Sequence, residues 1–188
     1  NLIINNNNIT RNVKSNIIIE DNTIYLSTAD MQNFFDEYLL VDEENKRIIT
    51  TSNTKTVVLP FEGTTINVSG AQTTIAHSLL NRDGTIYLPI TDLTNIYNIE
   101  VNYSAESNIV TIDSLNRKFV QALSSKNMSV KYLPTVFSKT VDKVERGDTL
   151  VLVQDRENGG NIVEEDWIKV RTKNGEIGYV KIDNIIHI

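Results

Sequence analysis

Apolar residues along this chain fall in strand-sized runs separated by polar clusters rich in Asn, Asp, Gly and Ser. NIII from Asn16, TIYL from Thr23, RIITTS from Arg47 and NIVTID from Asn108 have the length or alternation of half-buried strands. Between them, Asp21-Asn22 and Asp83-Gly84 are residue pairs that accept positive φ, so tight hairpins are predicted there. Two stretches change to a helical period. Met31, Phe34 and Phe35, and likewise Leu93, Ile96 and Tyr97, recur at i, i+3, i+4 and would each form one apolar face. Ser27 or Thr28 and Thr91 can cap the free N–H groups of these helices, with Asp30 and Asp92 at the positive end of the dipole.

The two helical stretches belong to an internal repeat. EDNTIYLSTADMQNFF from Glu20 superimposes on RDGTIYLPITDLTNIY from Arg82 at a constant offset of 62 residues. Asp21 falls on Asp83, Tyr25 on Tyr87, Leu26 on Leu88, Asp30 on Asp92 and Asn33 on Asn95. Each copy reads strand, turn, strand, short helix, hairpin. From about Ser125 the template stops. DTLVLVQD, DWIKVRT and EIGYVKI are short alternating strands, Asn174-Gly175 is a strong two-residue hairpin signal, and Gly159-Gly160 marks a mobile loop. The expected division is repeat 1 over 1–62, repeat 2 over 63–115, a linker over 116–125 and an all-β barrel over 126–188. The expected class is α+β: two small antiparallel-sheet-plus-helix repeats, then a five-stranded barrel.

TIYLP at Thr85–Pro89 and VNYSAESNIVTI at Val101–Ile112 resemble the copper amine oxidase N-terminal-like, or stalk, repeat of bacterial surface proteins. The first copy departs from that pattern in having Ser27 where the motif has Pro, and both copies lack the Arg frequent just after it. Residues 126–188 resemble a bacterial Src-homology-3 domain through Gly147-Asp148, WIKV at Trp167 and NGEIGYV at Asn174. These resemblances imply a module that accompanies a cell-wall or glycan hydrolase, often a family-18 glycoside hydrolase.

Composition narrows the classes further. Net charge is −6 with the basic residues scattered, so there is no cationic footprint for nucleic acid or an anionic membrane. No stretch reaches the ~20 apolar residues of a membrane-spanning helix. Cys is absent, which removes disulfides and thiolate chemistry. The chain opens at Asn1 with neither Met nor signal peptide, as expected of a processed secreted protein or a piece of a longer one.

No catalytic, cofactor-binding or metal-binding residues are expected. His77 and His187 are the only imidazoles, too few for a copper site, and Asn102-Tyr103-Ser104 lacks the acidic residue of a topaquinone-forming motif. Asp36-Glu37, Asp42-Glu43-Glu44 and Glu164-Glu165-Asp166 read as solvated turns, because glycosidic chemistry needs two carboxyls facing each other at ~5 to 9.5 Å. Trp167, Tyr179 and Tyr132 are the candidate ligand-binding residues: they could line one face and stack on a sugar or peptide. The alternative is that Trp167 and Tyr179 alternate into the core. The expected role is attachment, spacing or ligand binding at a polysaccharide cell surface, outside the cell or in its envelope. The partner would be cell-wall polysaccharide, peptidoglycan or a neighbouring catalytic domain. The other readings are the accessory region of a larger hydrolase, or a protein-interaction module using an exposed sheet edge.

Overall fold

A computed structural model describes all 188 residues. The chain is mostly β, with 48% of residues in strands, 11% in helix and two α-helices. The expected α+β layout of sheet-plus-helix repeats is therefore not what forms. Instead the duplicated hairpins fuse, and the helical part of the second copy is reduced. Two compact units result: Thr10–Val101, and Asn1–Ile9 together with Asn102–Ile188.

In the unit Thr10–Val101 the two copies share a sheet. Its strand order is Leu80–Arg82, Thr85–Pro89, Thr23–Ser27, Ile18–Glu20, so each copy contributes one hairpin and the second strands of both meet at the centre. Tyr25 faces Pro89, Leu26 faces Leu88 and Ser27 faces Tyr87. Leu26 and Leu88 are repeat equivalents and both are fully buried, so the antiparallel register centres the duplication on one cross-strand leucine pair. All of Thr23–Ser27 is buried. A hairpin buried this thoroughly needs a partner, and its own duplicate supplies it.

The helices that follow the central strands differ because their caps differ. Ser27 holds extended backbone and its Oγ accepts the Asp30 N–H, which starts the helix Thr28–Phe34. Pro89 has no such oxygen. The second copy makes a 3-10 turn over Ile90–Asp92 and then a one-turn helix, Thr94–Tyr97, stopped by left-handed Asn98. Of the predicted apolar positions Met31 and Leu93 are fully buried, Ile96 and Tyr97 nearly so, and Phe34 and Phe35 only partly.

The rest of this unit is a five-stranded antiparallel meander in sequence order: Leu40–Asp42, Arg47–Ser52, Lys55–Pro60, Thr65–Val68 and Ala71–Thr74. Ile48, Val57, Leu59 and Ile66 bury one face, while Ala71–Thr74 is an exposed polar edge.

The other unit is discontinuous in sequence. Leu2–Ile4 runs parallel to Ile109–Ser114, with Leu2 opposite Val110 and Ile4 opposite Ile112. Ile99–Ser104 lies on the far side of Ile109–Ser114, and Asn7–Asn8 closes the opposite edge. Next to this sheet in the chain comes an eight-stranded antiparallel sheet rather than the expected five strands. Its path is Thr140–Val144, Met128–Lys131, Ile177–Lys181, Trp167–Arg171, Thr149–Leu152, Gln121–Ser124, Ile185–His187, with Val163–Glu164 pairing off Trp167–Arg171. Gln121–Ser124, read from the sequence as linker, is thus a strand.

The core of this sheet holds Ala122, Val130, Leu150, Leu152, Ile168, Val170 and Val180. Gly178 fits where it does because a Cβ there would stand 2.5 Å from the Lys131 carbonyl oxygen.

Candidate functional site

Alternation along Trp167–Arg171 sends Ile168 and Val170 into the core and leaves Trp167, Lys169 and Arg171 on the opposite face. On the neighbouring strand Val180 is in the core, so Tyr179 and Lys181 share that outer face. The register pairs Trp167 with Lys181 and Lys169 with Tyr179. Trp167 and Tyr179 therefore share one face of the sheet, diagonal to each other, but Trp167 is only 6% exposed and Tyr179 partly so.

Tyr132 does not join them, because it follows Lys131, the residue whose Cα faces Tyr179. It opens an exposed loop with Leu133, Val136 and Phe137, the last 94% exposed. Each of the three aromatics has a lysine over its ring: Lys181 Nζ lies 4.8 Å from Trp167, Lys169 Nζ 5.9 Å from Tyr179 and Lys139 Nζ 4.8 Å from Tyr132. Lys181 is in turn held by Asp166. A sugar stacking on these rings would have to displace a lysine. Burial, followed by the charge of Glu164, raises the Tyr179 phenol above its ordinary value.

A second feature lies around Arg171. Its guanidinium makes a two-pronged ion pair with Asp113, at 2.8 and 2.6 Å, and sits 5.6 Å from the Phe119 ring centroid. Both side chains are largely buried, at 8% and 13% exposure. Removing one partner of such a pair strands a buried charge and costs roughly 3 to 5 kcal/mol. Nearby, the Ser104 hydroxyl donates to Asn174 Oδ1 at 3.1 Å and the Ser107 hydroxyl to the Asn174 carbonyl at 2.5 Å. The predicted Asn174-Gly175 turn packs so closely that a Cβ on Gly175, at φ 82°, would stand 2.7 Å from Ile109 Cγ2. Beside it opens a cavity of about 320 Å3 whose hydroxyls come from Tyr103, Ser104, Thr111, Thr149 and Thr172.

Two constellations escaped the sequence reading. Asp36, expected in a solvated turn, is 5% exposed and accepts from Thr50 Oγ1 at 2.8 Å, the Thr51 N–H at 2.7 Å and the Tyr38 N–H at 3.0 Å. Thr50 Oγ1 in turn accepts from the Tyr97 hydroxyl at 2.6 Å. Burial pushes the Tyr97 phenol up to about 12, opposed by its bond to Thr50 and reinforced by the charge of Asp36.

The second constellation is His77. Its Nδ1 lies 3.0 Å from Asp92 Oδ2 and its Nε2 3.3 Å from Thr23 Oγ1. Carboxylate, imidazole and hydroxyl stand in the order of a nucleophile-activating triad. Thr23, however, is 4% exposed, so its hydroxyl is out of a substrate's reach. The repeat explains the carboxylate. Asp92 accepts the His77 N–H at 2.7 Å, and its counterpart Asp30 accepts the Lys14 and Ser15 N–H groups at 2.7 and 3.3 Å. In both copies the same aspartate pins the chain arriving at the sheet.

The fold is that of a β-rich module in which Asp30, Asp36 and Asp92 each accept backbone N–H groups. The chain belongs to the copper amine oxidase N-terminal domain family, whose model matches residues 3–112. That domain is a non-catalytic accessory domain. No curated protein matches the chain. The copper in the family's name finds no ligand set here. His77 is bonded to Asp92 and Thr23, His187 lies in the other compact unit, and no three His, Cys, Asp or Glu side chains are grouped to hold an ion.

Proposed function

We propose that this chain is an attachment and spacing module acting at a polysaccharide cell surface, without catalysis of its own. The observation that carries this reading is the match of residues 3–112 to an accessory domain. Two surface features support it. The hydroxyl-lined cavity beside Arg171 can donate to and accept from a polyol, and the partly exposed Tyr179 offers a ring with a polar tip. The likeness of residues 126–188 to a bacterial Src-homology-3 domain belongs to the same reading and rests on the motifs at Trp167 and Asn174.

The test is co-sedimentation of the whole chain with purified bacterial cell wall and with insoluble polysaccharide. Saturable pelleting, reduced when Tyr179 is replaced by Ala, is the expected result. A chain that stays in the supernatant with every wall preparation sinks the proposal.

A second reading is favoured by the same family match. An accessory domain serves a catalytic partner, so the chain would position a linked glycan or peptidoglycan hydrolase on its substrate. Fusing the chain to a hydrolase domain and comparing rates on insoluble and soluble glycan checks this. The expected gain is confined to the insoluble substrate.

A further inference from the structure

A separate pocket of about 330 Å3 opens within the unit built from residues 1–9 and 102–188. That volume sits at the lower end of the ~300 to 1,000 Å3 typical of small-ligand sites. Its charge is opposite in sign to the chain's. Arg117, Lys118 and Arg156 line it with one carboxylate, Asp155, leaving a surplus of two positive charges in a chain whose net charge is −6. None of the three cations takes part in an ion pair. Asp155 is already engaged: its Oδ1 accepts the Glu157 and Asn158 N–H groups at 2.8 and 3.2 Å.

An independent observation comes from Asn6, which also lines the pocket. Asn6 Oδ1 is buried with no hydrogen-bond partner, the one buried side-chain polar atom of the chain in that state. Native folds rarely leave such an acceptor unmet. Asn6 is held in place by its neighbour, since Asn5 N–H donates to the Ile112 carbonyl at 3.0 Å and Asn5 Oδ1 accepts the Ser114 N–H at 2.8 Å. Phe119 is the aromatic residue of the lining. The wall carrying Arg156 is also fixed, because Asp155 N–H bonds the Gly160 carbonyl at 2.7 Å and Gly159 N–H bonds the Asp155 carbonyl at 2.9 Å. The loop expected to be mobile is thus closed on itself next to the pocket.

We propose that this pocket binds an anionic, hydroxyl-bearing saccharide unit. Its acid group would meet Arg117, Lys118 and Arg156, a hydroxyl would donate to Asn6 Oδ1, and the apolar edge of the sugar ring would lie against Phe119. A neutral sugar leaves the cations without a counter-charge, and a bare anion leaves Asn6 unmet. Carboxylated and phosphorylated sugars share the required chemistry. The proposal rests on the surface-module reading only in expecting the unit to occur within a glycan.

The experiment is amide NMR of the full chain titrated separately with glucuronate, glucose 6-phosphate, glucose and acetate. The expected result is movement of the Asn6 side-chain and Gly159 backbone signals at about tenfold lower concentration of an acidic sugar than of glucose or acetate. The tighter of the two acidic ligands identifies the acid group. Replacing Arg117 and Arg156 with Gln, both exposed and unpaired, should weaken binding about tenfold per charge while leaving Trp167 fluorescence unchanged. Signals that do not move, or that move equally with glucose or acetate, overturn the proposal. Pelleting with cell wall separates the two readings. A chain that pellets but shows no pocket shifts loses the pocket and keeps the module, whereas pocket shifts without pelleting do the reverse.

Discussion

Tyr97 shows how one buried hydroxyl ties stability to pH. Its phenol is 8% exposed and is raised from 10.0 to about 12, chiefly by burial. The folded state therefore holds this proton more tightly than the unfolded chain. The associated stability is fully present below pH ~10 and is lost as pH rises through about 12, a change of roughly 2 to 3 kcal/mol. Urea midpoints followed by circular dichroism between pH 9 and 11.5 should fall more steeply for the native chain than for Tyr97→Phe. Parallel slopes would mean the phenol ionises as freely folded as unfolded. The sequence showed Tyr97 as the apolar i+4 position of a short helix, and its burial was legible from that spacing. Its bond through Thr50 to Asp36 was not. Nothing in the run Phe35-Asp36-Glu37 distinguishes a carboxylate that turns inward from one that faces water.

At the scale of elements, the duplication was plain in the sequence but its consequence was not. Period and offset identify two hairpins, yet they say nothing about whether each closes on its own helix or on the other copy. The register Leu26 to Leu88 decides for the second, and the helix Thr28–Phe34 packs on the central strands of both copies. Besides that packing, an aspartate in each copy ties the chain down. Asp30 is fully buried and holds the Lys14 N–H, the Ser15 N–H and the Ser27 hydroxyl, whereas Asp92 serves the half-exposed His77. Asp30→Ala leaves three donors without their acceptor and should cost about 2 to 4 kcal/mol. Asp92→Ala should cost less, because water can reach the His77 ring. Ser27→Ala removes the cap and one of the three donors to Asp30 and should cost about 1 to 2 kcal/mol. Urea denaturation of the three variants checks the order, and an Asp92→Ala loss equal to that of Asp30→Ala would show that burial does not set the difference between the two carboxylates. Of the candidate ligand residues, the shared face of Trp167 and Tyr179 follows from alternation that was readable in the sequence. The lysines over their rings depend on cross-strand register, which was not.

The organisation of the whole molecule rests on a contact that no local pattern encodes. Leu2 and Ile3 are 0% and 2% exposed and pair in parallel with Val110 and Thr111. The first nine residues therefore complete a unit whose remaining residues begin at Asn102. Burying two such side chains contributes at most ~3 to 6 kcal/mol, a large share of the 5 to 15 kcal/mol that stabilises a typical domain. Trp167 lies in this same unit, is 6% exposed and is the only tryptophan, so its emission reports on this unit and not on residues 10–101. Deleting residues 1–9 should lower the urea midpoint of the Trp167 transition markedly, although the deletion is remote from Trp167 in sequence. The substitution pair Leu2→Ala and Ile3→Ala should reproduce most of that loss, since apolar burial rather than chain length is its cause. A Trp167 transition unmoved by either change would show that residues 102–188 hold together without the N-terminal strand. The parallel pairing of Leu2–Ile4 with Ile109–Ser114 would then be an ornament of the fold and not part of its support.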